Sequence, residues 1–315
     1  MFQKLKLKRG GKNSTVFSII LVIAGLVIAG LFSHFGYDPV SDFFGLRKPP
    51  ITTKPVDGIV QVHFIDVGQG DCVLILTENH SVLIDSGDSK YASAVIAYIK
   101  QAGAESLDLI IASHPHADHI GGMDRIIAEF KPADLLMPHL PDELVPTTAT
   151  FERMLDAIEK HEVNAAYAES ESWHFDDAEL IITPPSPDAG FDNVNDYSVL
   201  AKLIHGDNSF LFTGDMEQPA ENNILESGVD VTASVIKVAH HGSKTSSKRK
   251  FMQTTNAEYA VISVGAPNRY NHPHSDTIRR ITQMGFDILR TDQLGTIVFT
   301  SNDGRLTIDT EREGL

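Results

Sequence analysis

Within six residues the chain places His114, His116, Asp118 and His119, with Pro115 and Ala117 between them and Ile120-Gly121-Gly122 directly after. Each of the four can ligate a metal. In an extended loop leaving a strand, His114 and His116 point the same way because side chains alternate with period two. Pro115 fixes φ and removes a backbone donor, which suits a loop held around a cation. Asp118 and His119 then reach a neighbouring position. Two imidazoles for one ion, and a carboxylate plus an imidazole for the next, form the ligand set of a hydrolytic dinuclear site.

Two further stretches can complete such a site. Phe210-Leu-Phe-Thr-Gly-Asp215 reads as an apolar strand that throws a carboxylate off its end, where it can bridge two cations. Ser234-Val-Ile-Lys-Val-Ala-His240-His241-Gly242-Ser243 reads as a second apolar strand ending in paired histidines. Neighbours on a strand face opposite ways, so one of the two is expected to bind metal and the other to donate a proton or support a ligand. Asp85, before Ser86-Gly87, is a candidate acceptor that orients a ligating imidazole, or else a solvated turn residue.

The elements that must position these groups are legible as alternating apolar runs. Leu107–Ser113 reads as a buried strand before the histidines and Met123–Phe130 as an amphipathic helix after them. Ile59–Val67, Cys72–Thr77 and Ser81–Asp85 read as three strands separated by turns at Gly68, Gly70 and Asn79. Strands are also expected at Leu180–Thr183, Ser198–Ile204, Phe210–Thr213, Val235–Ala239, Tyr259–Val264 and Thr296–Thr300. Helices are expected near Tyr91–Ala102, Phe151–His161 and Thr277–Met284. Strands first, then mixed units, imply two sheets with helices on both outer faces and no break after residue 58. The lone Cys72 excludes an intramolecular disulfide and lies in an apolar run, as a small core residue does.

The chain has 315 residues and a formal net charge of −16. Lys4, Lys6, Lys8, Arg9 and Lys12 precede any acidic residue, so the rest carries 21 basic against 42 acidic residues. So acidic a body is a poor general nucleic-acid binder, though a local basic rim is compatible with it. The basic residues 1–14 lead into an uncharged apolar run over 15–32, long enough to cross most of a bilayer. The expectation is a cytoplasmic N-terminus, a signal anchor or a cleaved signal peptide over 15–32, a Pro- and Gly-containing linker over 33–57, and a domain over 58–315 outside the cytoplasm. Export without disulfides points to a bacterial membrane or secreted protein.

Phe64–Asp71 (Phe-Ile-Asp66-Val-Gly-Gln-Gly-Asp), Leu83-Ile-Asp-Ser-Gly87, His114–His119, Thr213-Gly-Asp215 and His240-His-Gly-Ser243 resemble the successive motifs of the metallo-β-lactamase superfamily. They most resemble its ComEC-type branch, from about residue 58 to 309. The resemblance is to a free-standing extracytoplasmic relative, expected without the membrane channel of true ComEC proteins, and it carries over no role in DNA uptake. The resemblance implies an α/β fold, a four-layer αββα sandwich, with the site at the sheet edge. It implies two divalent metal ions, Zn²⁺ or alternatively Mn²⁺, on His114, His116, Asp118, His119, the bridging Asp215, and His241. His240 then stands near the scissile bond, and Asp118 and His240 take the catalytic roles. A further first-metal histidine of many members has no match here. Of His139, His161, His174 and His205, none has suitable surroundings, and Asn195-Asp-Tyr-Ser198 occupies that place. Asp66, Asp85, Asn195, Ser198, His272 and His274 are expected as supporting or substrate-side groups. The implied substrate is a phosphoester, either nucleic acid or a cell-wall phosphodiester, with no protein partner. The alternatives are a phosphorylcholine esterase, an ester, lactone or β-lactam hydrolase, or a non-catalytic surface binding module.

Overall fold

The computed structural model describes residues 54–313. The expected membrane segment over 15–32, and the linker up to residue 53, lie outside the described residues. Among the described residues no helix is long and apolar enough to cross a membrane.

Six strands open the domain: β1 (Ile59–Phe64), β2 (Val73–Leu76), β3 (Ser81–Ile84), β4 (Leu109–Ile111), β5 (Asp134–Met137) and β6 (Asn164–Tyr167). Seven follow in a second sheet: β7 (Glu171–Phe175), β8 (Ala178–Thr183), β9 (Leu200–His205), β10 (Asn208–Phe212), β11 (Val235–Lys237), β12 (Tyr259–Ile262) and β13 (Asp287–Arg290). The last two, β14 (Ile297–Asn302) and β15 (Arg305–Thr310), return to the first sheet. Its order is β15-β14-β1-β2-β3-β4-β5-β6, and that of the second is β13-β12-β11-β10-β9-β8-β7. Antiparallel meanders make up one half of each sheet. The site-bearing strands β3 to β6 and β10 to β13 run parallel.

The side-chain pattern explains the layering. Along β1, Val60, Val62 and Phe64 face the second sheet and pack with Leu180, Leu203, Phe210 and Phe212. In an inner parallel strand such as β4 both faces are apolar, because both are covered. In β4, Leu109 and Ile111 enter the core between the sheets while Ile110 faces the helices. On that outer side lie α1 (Ala92–Gln101), α2 (Ala117–Ile120), α3 (Met123–Phe130) and α4 (Ala149–Lys160), held by Val95, Ile99, Ile126, Ile127 and Met154. Beyond the second sheet, α5 (Gln218–Ser227), α6 (Arg249–Thr255) and α7 (Ser275–Gln283) bury Ile224, Phe251, Met252 and Ile281 against Leu211, Ile236 and Ala260. Three cores separate four layers, which is the αββα sandwich. Cys72 is fully buried, and burial with Asp85 and Asp71 nearby pushes its thiol well above the ordinary range, so it packs as a core residue.

Several boundaries differ from the sequence expectation. Leu107–Ser113 narrows to Leu109–Ile111, and the strand expected at Ser198–Ile204 begins at Leu200. Ser198 instead caps a short 3-10 turn, Val194–Tyr197, which frees its hydroxyl for the site. β5, β6, β7, β13 and β15 have no counterpart in the sequence expectation. β6 is exposed throughout and carries no apolar alternation, because it is an edge strand paired on one side to β5.

Candidate metal centre

The carboxyl ends of parallel strands from both sheets meet at one edge, where open α/β sheets place their ligands. After β4, the Ser113 N–H donates to Asp85 Oδ1 at 2.7 Å, and Pro115 carries the chain to His116, which caps α2. Asp118 and His119 then fall in the first turn of that helix. The preceding loop closes tightly over it. Asp71 N–H donates to Asp118 O at 3.2 Å, and a Cβ on Gly70 (φ 140°) would lie 2.3 Å from the same oxygen. Only glycine allows this approach.

His114 Nε2 lies 3.0 Å from His116 Nδ1, so two ring nitrogens converge on one point. His114 Nδ1 faces the hydroxyls of Ser113 at 3.2 Å and Ser198 at 3.4 Å. Ser198 Oγ also accepts from the Asp215 N–H at 3.0 Å, tying the first histidine to Asp215. His119 Nδ1 donates to Asp85 Oδ2 at 2.7 Å, which leaves Nε2 facing Asp215 Oδ2 at 3.2 Å. His241 repeats the device. Its Nδ1 donates to Ser263 O at 2.9 Å, and its Nε2 lies 3.3 Å from Asp118 Oδ2 and 3.4 Å from Asp215 Oδ2.

His119 Nε2 and His241 Nε2 face these carboxylates without hydrogen-bonding them. His119 Nε2, His241 Nε2 and Asp215 Oδ1 are buried without a partner, a costly state for polar atoms unless something else binds them. Convergent open imidazoles and carboxylates fit divalent cations. His114, His119 and Asp215 converge closely enough to hold one, with His116 3.0 Å from His114 beside it, and Asp118, His119 and His241 converge for its neighbour. Asp85 and Asp71 also lie close to His119. Asp85 is engaged by Ser113 and His119, while Asp71 is ion-paired to Lys237 through Oδ2 and keeps Oδ1 buried without a hydrogen-bond partner, 3.3 Å from His241 Nδ1.

Charge explains the same arrangement. Burial lowers His114 well below the ordinary imidazole range, aided by His119, and burial also lowers His116. Both are therefore neutral at pH 7, as ligation requires. For His119 and His241 burial acts downward too, but Asp215, Asp85 and Asp71 around the first, and Asp215 and Asp71 around the second, overcome it and hold both rings above their usual range. For Asp118 and Asp215 burial acts upward and is outweighed by His241 and His119, so both stay ionised.

Sequence reasoning missed the cation beneath this cluster. Lys237, 2% exposed, ends β11 with its ammonium against Asp71 Oδ2, 3.6 Å from Asp215 Oδ1 and donating to Gly214 O at 2.8 Å. A lysine inside an otherwise apolar strand was the available signal, since lysine is almost never fully buried without a partner. Glu217 was also missed. Its Oε1 lies 3.1 Å from His240 Nδ1 and accepts from Thr245 Oγ1 at 3.0 Å.

The expectation that His240 and His241 alternate off a strand is corrected. β11 ends at Lys237, and both histidines sit in a left-handed turn with φ of 51° and 52°. That conformation is disfavoured for side chains with a Cβ and clusters at functional sites. His241 enters the cluster, while His240 stays half-buried at the mouth. Asp66 is also corrected. Its carboxylate accepts from the Gly68 N–H at 3.0 Å and pairs with Arg312 at 3.0 Å, holding the segment just past β15 rather than the site. Asn195 is buried with Oδ1 unpartnered, beside the loop that carries Asp215. The His272 ring lies 5.3 Å from His240 and 6.3 Å from His241, and the His274 ring 4.9 Å from His272. His139 stacks on Tyr167, and His205 bonds Ser301 and Asp177. His161 ends α4 and His174 lies in β7, so none of the four is at the centre.

The Metallo-beta-lactamase superfamily model matches residues 65–265, and the chain belongs to that superfamily. Within it, the chain is similar to the ComEC-type branch. It is 29% identical over 263 residues to ComE operon protein 3 of Bacillus subtilis, covering 76% of this chain and 33% of that protein. It is 28% identical over 236 residues to Competence protein ComA of Neisseria gonorrhoeae, covering 74% and 31%. The chain thus spans about a third of the length of these relatives. Among solved structures, CmlA, a diiron beta-hydroxylase from Streptomyces venezuelae, is similar in fold, with a TM-score of 0.51, 13% identity and coverage of 78% of this chain and 54% of that one.

Proposed function

We propose that this hydrolase of the metallo-beta-lactamase superfamily is a phosphodiesterase or nuclease that works outside the cytoplasm. One observation carries the reading: the Nε2 atoms of His119 and His241, buried without hydrogen-bond partners, lie 3.2 Å to 3.4 Å from carboxylate oxygens of Asp118 and Asp215. Two divalent cations, when bound, supply Lewis-acid charge and bring the pKa of water toward neutrality. The protein's own groups do the rest. Ser198 and Lys237 fix Asp215 between the two halves of the site. Asp118, ionised and partly exposed at the mouth, accepts a proton from the attacking water. His240, beside Glu217, is placed to protonate the leaving oxygen. Zn²⁺ or Mn²⁺ suits the mixed imidazole and carboxylate donors.

A phosphodiester is favoured over carboxylic esters by the surface next to the site. Lys244, Lys248, Arg249 and Lys250 fall within one seven-residue stretch just after the paired histidines, without an acidic residue, in a strongly acidic chain. Such a run is an electrostatic footprint for phosphates. Location outside the cytoplasm rests on the basic start and the apolar run over 15–32. The test is metal analysis of the full-length protein, with bis-p-nitrophenyl phosphate, single-stranded DNA and nitrocefin assayed in parallel. Metal-dependent turnover of the first two is expected. Turnover of nitrocefin alone would overturn the proposal.

A further inference from the structure

Next to the metal centre stands a group of aromatic and cationic side chains that the reaction does not use. The ring of His272 lies 5.3 Å from that of His240, and the ring of Tyr270 stacks on His272 at 5.6 Å with an interplanar angle of 24°. The guanidinium of Arg269 lies 4.8 Å over Tyr270. The three form a ladder that starts at the histidine beside the leaving group and climbs outward. Tyr270 nonetheless keeps 43% of its surface exposed, one of few large apolar side chains to do so among the described residues.

The ladder is built rather than incidental. Asn268 Nδ2 donates to Gly265 O at 2.7 Å and His272 O at 2.6 Å, and its Oδ1 accepts from the N–H groups of Tyr270 at 3.1 Å and His272 at 3.0 Å. One side chain thus fixes the loop from inside. The loop is wedged as well, since a Cβ on Gly265 would lie 2.5 Å from Gln69 N and one on Gly242 2.6 Å from Pro273 Cβ. The Lys244 N–H donates to His274 Nδ1 at 3.1 Å, joining the ladder loop to the basic run. A rigid loop that leaves a tyrosine open, between a hydrolytic centre and exposed cations, has no packing reason to do so.

We propose that Arg269, Tyr270 and His272 form a stacking platform for a nucleobase of the substrate, with the basic run Lys244–Lys250 receiving the phosphates beyond it. This rests on the phosphodiesterase reading and narrows it to single-stranded nucleic acid. Aromatic faces and arginine planes bind bases of any sequence because every base has a π-face. A quaternary ammonium, the other ligand an aromatic ring takes, is disfavoured because Arg269 already lies on Tyr270 and would repel it.

The test is binding of a single-stranded oligothymidylate carrying one 2-aminopurine to the full-length protein, with a chelator present to prevent hydrolysis. Quenching of the 2-aminopurine is expected with the wild type and with Tyr270→Phe. Tyr270→Ala, melting at the same temperature, is expected to bind about tenfold more weakly and to lose the quenching. An oligonucleotide with an abasic unit in place of the 2-aminopurine is expected to bind both proteins equally weakly. Equal binding of the 2-aminopurine strand by wild type and Tyr270→Ala would overturn the platform, as would an equal loss on the abasic strand. Displacement by phosphorylcholine that depends on Tyr270 would also overturn it. Quenching without any phosphodiester turnover on metal addition would leave the platform standing and remove the reaction proposed above.

Discussion

Asp85 and His119 share a hydrogen bond of 2.7 Å, from Nδ1 to Oδ2, and this bond aims the opposite nitrogen of the ring at Asp215. Asp85 adopts φ 60°, a conformation aspartate and asparagine tolerate better than most residues, and Ser113 donates to it through both its N–H and its hydroxyl. Carboxylates behind a metal-binding imidazole set its tautomer and basicity. Asp85→Asn keeps the backbone and removes the charge. It is expected to weaken metal affinity by about 10–100-fold while leaving the fold intact, as read by metal titration. Unchanged affinity would show that Asp85 serves only the loop.

Lys237 and Asp71 form a buried ion pair under the same cluster. Removing one partner of such a pair leaves an uncompensated charge in low dielectric. Lys237→Met is therefore expected to destabilise the domain by about 3–5 kcal/mol in urea unfolding, with much of this recovered when Asp71→Asn is added. A neutral Lys237→Met would contradict the assignment of Lys237 as the charge that balances this site.

Gly70 and Asp118 approach closely, with 2.3 Å from a built Cβ to the Asp118 carbonyl. Gly70 lies in the loop Ile65–Cys72 between β1 and β2. Gly70→Ala must push that loop or α2 aside, and Asp118 with it. A loss of metal-dependent turnover with a smaller loss of stability is expected, compared by kinetics and thermal melting of the same sample. Wild-type kinetics in Gly70→Ala would show that the loop has room to move.

His63 sets a pH dependence away from the metal centre. It is fully buried in β1, its Nδ1 2.8 Å from Tyr98 Oη and its Nε2 unpartnered, and burial lowers its pKa to about 3. The folded value is below the unfolded one, near 6.5, so the unfolded chain takes up a proton that the folded chain refuses. Its contribution is fully present above pH 6.5 and is lost as pH falls toward 3. His63→Leu is expected to reduce the slope of stability against pH by roughly 1.4 kcal/mol per unit within that window. Urea unfolding followed by the fluorescence of Trp173 measures it. An unchanged slope would mean that His63 is protonated in the fold.

Much of the site was legible because its chemistry is local in sequence. His114 to His119 lie in one loop, and apolar strands announce Asp215 and His241 at their ends. The two-sheet fold followed from the same runs. What was not legible depends on contacts between distant segments. Lys237 reads as an interruption of a strand until Asp71 is brought to it from the loop after β1. The turn that separates His240 from His241 is left-handed, and no alternation rule applies there. Asp66 lies in a site motif yet turns to Arg312, a partner 246 residues away. The exposed strand β6 and the edge strand β15 carry little apolar signal, since each pairs on one side only.

The central claim is that Asp215 joins two metal-binding groups into one hydrolytic centre. Metal content and bis-p-nitrophenyl phosphate turnover, measured on the same samples of full-length wild type and Asp215→Ala with and without chelator, test it most directly. Bound divalent metal and turnover in the wild type are expected, both removed by chelator and both lost in Asp215→Ala at an unchanged level of folded protein. Full turnover in Asp215→Ala, or in the wild type with chelator present, would contradict it.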